Sequence, residues 1–301
     1  TMSYMVSAGE VMPALLAQKI LSMSAFQAVT QEDYKALLTY MLEKKQLERT
    51  ENGGLLIGEG GEYQVNHFEF YSVFETPQEY SVKFASEEIG SVQEPFPKGE
   101  RFALAGRSWE VLEFDKTAGI IYVKEIFGIS ANQWYGFNGI PVHTKVMKKV
   151  KEILVSEETF GYLSDNASVR LSEMRDIAGN STIGKEMVVP IVEGTYAIFP
   201  FLGTCELITL SYALSDRGIA NELLIEKNVP VCIFVTGIKK EEVIDTLKAI
   251  KYGSVDLSTF QIPANIKNGG KYDEYVPSSL NKKQYITDFL DLNGLKDGLD
   301  G

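Results

Sequence analysis

Cysteine and histidine are scarce, with two of each in 301 residues. Cys205 and Cys232 sit among apolar neighbours and lack CxxC spacing, so they spell no zinc site. Two buried, reduced thiols are expected instead. His67 and His143 are too few for a metal cluster and stand in no metal-ligand spacing with the cysteines. No GxSxG elbow supplies a nucleophile. Structural or exposed roles are therefore expected for both histidines. Acidic side chains are plentiful, but they read as surface and single out no catalytic pair.

Long apolar runs are missing too. The longest, Val229 to Val235, has the length of a strand, so no membrane span is expected. The opening residues, TMSYMVSAGEVMP, lack the basic start and apolar core of a secretory leader, which points to a cytoplasmic protein. Thr1 before Met2 suggests a segment excised from a longer chain. Positive charge is also short: 29 Lys and Arg face 41 Asp and Glu, for a net charge of −12. A stand-alone nucleic-acid binder is usually basic, because neutralising phosphates supplies most of its affinity. The balance argues against that role for the chain as a whole. It leaves room for one local basic face, or for a domain that helps a motor making most of the contacts.

ATPase elements are absent as well. Gly179 to Lys185 (GNSTIGK) matches the first seven positions of a phosphate-binding loop, but Glu186 follows where a Ser or Thr hydroxyl must hold magnesium. The preceding residues, MRDIA, read as helix where the cradle needs a strand. A surface turn is expected, and the chain alone is not expected to hydrolyse ATP.

What is present is ordinary globular composition, 45% hydrophobic and 23% charged, enough for two or three domains. No internal repeat or low-complexity linker interrupts it. Pro13 to Met23 has helical spacing. Thr30 reads as an N-cap for a second helix running to about Lys45, with Tyr34, Leu37, Leu38, Met41 and Leu42 as its apolar stripe. Turns are expected at Asn52 to Gly54 and at Gly58 to Gly61, with Leu55 to Ile57 between them and Tyr63 to Val65 after. Two helices and a short hairpin make the end of a winged helix. Phe70 to Phe74, Tyr80 to Phe84, Arg101 to Leu104, Trp109 to Phe114 and Ile120 to Val123 are candidate strands of a small sheet or partly open barrel. Beyond them, helices are expected at Val142 to Leu154, Glu157 to Ile177, Cys205 to Asp216 and Lys240 to Ile250. Strands are expected at Val188 to Ile191, Tyr196 to Phe199 and Val231 to Thr236. The last 21 residues read as one short helix and a frayed acidic tail. The class is α+β: a truncated winged helix (1–66), a β-sheet or barrel module (67–141), and a C-terminal α/β region (142–301) packed on that module.

Trp109 lies in an alternating strand and is expected in the core. Trp134 lies in a polar, glycine-bearing loop, ANQWYGFNG from Ala131, where its ring suits either base stacking or burial against a neighbouring helix. Lys145, Lys148, Lys149 and Lys151 follow it. The first three share one helix face, which is either solvated or set to hold phosphates.

In order along the chain stand PALLAQKI from Pro13, YSVF from Tyr71, IG at Ile89, GERFALAGRSW from Gly99, WYG from Trp134 and FPFLGT from Phe199. This series resembles the region that follows the motor in Lhr-type ATP-dependent DNA helicases. The segment between Met23 and Thr30 is shorter than that family's winged helix has. The resemblance implies an accessory module of a 3′–5′ helicase that guides the tracking strand, with Trp134 stacked on a base. ATP and magnesium would be held by motor lobes absent from this chain. The nucleic-acid-binding residues expected are Trp134, Lys145, Lys148, Lys149 and Arg107, and no cofactor is expected in this chain. The expected partners are single-stranded or 3′-tailed DNA and the motor lobes, with no membrane. A protein-docking module of a repair complex and a separate winged-helix repair enzyme are the alternatives.

Overall fold

The computed structural model describes residues 1–72, 79–92, 96–126, 141–226, 229–264, 266, 268 and 270–299. The chain forms two compact units: Thr1–Asn66 together with Phe137–Gly301, and His67–Gly136.

The first unit opens with α1 (Met2–Ala8), which buries Met2 and Met5 and was not expected. Pro13 starts α2 (Pro13–Leu21), where its fixed φ suits the first helical position and its missing N–H costs nothing. Thr30 caps α3 (Gln31–Glu43) through a reciprocal box: its hydroxyl accepts from the Asp33 N–H, and the Asp33 carboxylate accepts from the Thr30 N–H. Tyr34, Leu38 and Met41 are the buried face. The hairpin then pairs β1 (Leu47–Arg49) with β2 (Leu55–Ile57).

The residues after it correct the sequence reading. The turn expected at Gly58 to Gly61 and the strand segment expected at Tyr63 to Val65 are a single helix, α4 (Glu59–Val65). Glu59 and Glu62 favour its first turn electrostatically. Gly61 lets the helix press onto the Gln46 carbonyl, where a Cβ would collide with backbone. Tyr40 donates to the Glu274 carbonyl at 3.4 Å, and Lys283 pairs with Asp33, so this N-terminal segment is tied to residues near the end of the chain.

The second unit is a five-stranded sheet among the described residues, in the order β4-β3-β7-β6-β5. Its strands are β3 (Tyr80–Phe84), β4 (Glu87–Val92), β5 (Arg101–Leu104), β6 (Arg107–Asp115) and β7 (Ile120–Ile126). Only the β3–β7 pairing is parallel in this described sheet. Ala105 and Gly106 both have positive φ, the two-residue turn that matches strand twist between β5 and β6. Val82, Phe102, Trp109, Val111 and Ile121 form the centre of its core. Trp109 is in the core as expected, with its indole N–H donating to the Leu104 carbonyl at 3.0 Å. β4 was not expected: its two glutamates mask a strand that lies at the sheet edge, where charge discourages further pairing. Phe70 and Tyr71, expected to begin a strand, lie in a 3-10 turn, and Val73 and Phe74 lie outside the described residues.

The remainder of the first unit contains α5 (Thr144–Val155), α6 (Asp165–Asn180), β8 (Val188–Val192), β9 (Thr195–Ile198), α7 (Thr204–Asp216), β10 (Asn221–Glu226), β11 (Val229–Thr236), α8 (Lys240–Tyr252), α9 (Ser278–Phe289) and α10 (Leu292–Gly298). The sheet order is β10-β11-β9-β8, and each described pairing is antiparallel. Ile198, Leu210, Leu214, Ile233, Val243 and Leu295 lie in its core. The helix expected from Glu157 begins only at Asp165, where Ser164 caps it. The frayed tail is also corrected: α9 and α10 are both formed, and Leu295 and Leu299 are buried. The chain is α+β. Among the described residues no helix is long and apolar enough to cross a membrane.

Candidate nucleic-acid interface

The lysine helix α5 is fixed at both ends. At its start, Val142 to Thr144 is clamped to the beginning of α7. The Val142 N–H donates to Thr204 Oγ1 at 2.9 Å, and the Thr204 N–H donates back to the Val142 carbonyl at 2.9 Å. Thr144 Oγ1 accepts from the Gly203 N–H at 2.7 Å and donates to the Glu206 carboxylate. Gly203 has to be glycine here, because a Cβ would meet the Val142 carbonyl oxygen, the Glu206 carboxylate and the Thr144 nitrogen. Just before it, Phe201 is buried at a φ of 52°, a conformation bulky side chains rarely adopt. At the other end, Arg175 from α6 donates to the carbonyls of Ile153 and Glu158, both at 3.0 Å, and to Ser156 Oγ at 3.2 Å. That guanidinium closes the carboxyl end of α5, where cations suit the helix dipole.

Held this way, α5 buries Met147 and turns Lys145, Lys148 and Lys149 to solvent. His143 caps the helix, its Nδ1 accepting from the Lys145 N–H at 3.0 Å. Lys145 and Lys148 have no charged partner among the described residues. Lys149 pairs with Glu152 at 2.8 Å, and that carboxylate raises the lysine above its ordinary value. Lys151 is half-buried, with its ammonium 6.0 Å from the Phe201 ring centroid. The result is a face with two unneutralised ammonium groups and a third that is shared.

Arg107 begins β6 in the other unit, exposed and 3.4 Å from the Glu125 carboxylate. Trp134 lies outside the described residues. Of the expected set, α5 therefore brings Lys145, Lys148 and Lys149 together. The sequence reading overlooked the clamp and Arg175. The only local sign of the clamp was the Gly-Thr pair that ends FPFLGT.

Gly179 to Lys185 runs from the end of α6 into a turn, with Thr182 and Gly184 at positive φ and the Lys185 N–H donating to the Thr182 carbonyl at 3.0 Å. The Glu186 side chain pairs with Lys240 at 2.6 Å. Cys232 is buried, and burial pushes its thiol up to about 11. Cys205 is half-buried, and its thiol is raised by burial and then by Glu206 and Asp291. Among the described residues no group of three or more His, Cys, Asp or Glu side chains is placed to hold a metal ion. No protein-family model, no curated protein and no solved structure matches this chain.

Proposed function

We propose that this chain is a nucleic-acid-engaging accessory module of an ATP-dependent 3′–5′ DNA helicase, guiding the tracking single strand while motor lobes outside this chain hydrolyse ATP. The observation that carries the reading is the lysine face of α5, clamped at one end by Gly203 and Thr204 and at the other by Arg175. A rigid face with free ammonium groups suits phosphates, which position a strand without reading its sequence. The family resemblance supplies the motor, the polarity and the stacking role of Trp134. Arg107 would add a phosphate contact, because its pairing with Glu125 is exposed and weak.

The test is anisotropy of this chain with a labelled 3′-tailed duplex and with a blunt duplex. The tailed substrate is expected to bind more tightly. Two to three phosphate contacts predict that its affinity falls roughly tenfold between 50 and 200 mM salt, from a slope of about 0.7 per phosphate. Equal binding of the two substrates, or affinity indifferent to salt, would count against the proposal.

A second reading is a protein-docking surface. Val146 and Val150 are exposed beside the lysines, at 54% and 37%. Apolar docking is insensitive to salt, so the same titration separates the two readings.

A further inference from the structure

We infer that the groove between the start of β8 and one face of α8 is a second contact site for a single nucleic-acid strand, with a base against Tyr252 and phosphates along Lys240, Lys248 and Lys251. The inference rests on the nucleic-acid reading above and adds a site that neither the sequence motifs nor the lysine helix account for.

The groove is a cavity of about 560 Å³. Its floor is apolar, with Val188, Leu247 and Leu299 buried beneath it. Its rim carries three ammonium groups and one aromatic ring. On a helix turning 100° per residue, positions 240, 248 and 251 fall within one quadrant, so the lysines line one side of the cavity. Lys240 to Lys251 spans about 16 Å at 1.5 Å per residue. A stacked strand rising ~3.4 Å per nucleotide covers that length with roughly five nucleotides.

Tyr252 is the feature that favours a nucleic acid. It is 77% exposed at the end of α8, with the Lys251 ammonium 4.9 Å from its ring centroid. An accessible ring beside a cation offers a base a stacking surface and its phosphate a counter-charge. Glu186 pairs with Lys240 at 2.6 Å, and Asp245 meets Lys248 at 3.5 Å. Both pairs are open to water, where such pairs are weak, and a doubly hydrogen-bonding phosphate competes for the same ammonium groups.

The experiment is photocrosslinking of the chain to a 12-nucleotide oligothymidylate carrying 5-iodouracil, followed by peptide mapping. The expected crosslink falls on the peptide containing Tyr252, disappears in Tyr252→Ala and persists in Tyr252→Phe. Replacing Lys248 and Lys251 by Ala is expected to weaken oligonucleotide binding about fivefold. Tyr252 is exposed, so its replacement leaves the core untouched, and circular dichroism checks this.

Crosslinks confined to other peptides, with Tyr252→Ala binding as tightly as the parent, would overturn this inference and leave the proposed function standing. No binding and no crosslink anywhere would overturn both. Protection of Tyr252 from nitration by a peptide of Leu and Glu, but not by the oligonucleotide, would make the groove a peptide site and overturn the inference.

Discussion

Lys148 and Lys149 are neighbours on one helix, yet their surroundings make them different charges. Lys148 faces solvent and forms no ion pair among the described residues, while Lys149 is paired with Glu152, whose carboxylate raises it. A phosphate approaching Lys148 displaces only water and counter-ions; one approaching Lys149 must compete with an existing partner. Lys148→Ala is therefore expected to lower the salt slope of single-strand binding by about 0.7. Lys149→Ala is expected to lower it by less, and titrations at four salt concentrations resolve the two. The thiols give a second residue-scale prediction. Burial raises Cys232 to about 11 and raises Cys205 as well, which disfavours the reactive thiolate in both. Iodoacetamide near pH 8 is expected to leave the native chain unmodified and to alkylate both cysteines in urea, as intact mass would report. Rapid labelling of Cys205 in the native state would mean that burial does not protect its thiol.

The position of α5 depends on contacts 59 to 62 residues away in the chain. Gly203→Ala would drive a Cβ into two backbone atoms, an overpacking that costs about 1–3 kcal/mol. Thr204→Val would leave the part-buried Val142 N–H without its acceptor, at roughly 1 kcal/mol. Both losses are expected as shifts in the urea midpoint at unchanged slope, and the two should be less than additive because they disturb one clamp. This distance explains what could be read along the chain. The α3 cap was legible because Thr30 and Asp33 meet three residues apart, and the lysine face was legible because its spacing is local. The clamp was not, since nothing near Thr144 announces Thr204. Edge strands β4 and β10 were hidden by their own charge: Glu87, Glu88, Glu222 and Glu226 break the apolar alternation that marks an interior strand. α4 was hidden by Gly60 and Gly61, which read as turn but serve close approach to the backbone of Lys44 to Gln46. α10 was hidden by Asp and Gly in its sequence, while Leu295 within it and Leu299 just after it are buried and hold it in place.

Across the whole chain, the first unit is assembled from segments far apart in sequence, and one ion pair can be used to test that assembly. Asp33 completes the Thr30 cap of α3 and pairs with Lys283 of α9, 250 residues away. The Lys283 ammonium, with help from Thr30, holds the Asp33 carboxyl below its ordinary value. A carboxyl depressed in the folded state binds its proton less readily there than in the unfolded chain. Its contribution to stability is therefore fully present above the unfolded value of about 3.9 and is lost as pH falls through the lower, folded value. Lys283→Gln removes the larger cause and leaves the Thr30 cap. The variant is expected to melt below the parent at pH 7, with the gap shrinking steadily from about pH 4 downward. High salt at pH 7 is expected to narrow the gap too, since both groups reach solvent. Melting curves from pH 2 to 7, at low and high salt, check this. A gap that stayed constant through acid and through salt would mean that Lys283 joins α9 to α3 by the packing of its alkyl stem, with its charge contributing nothing.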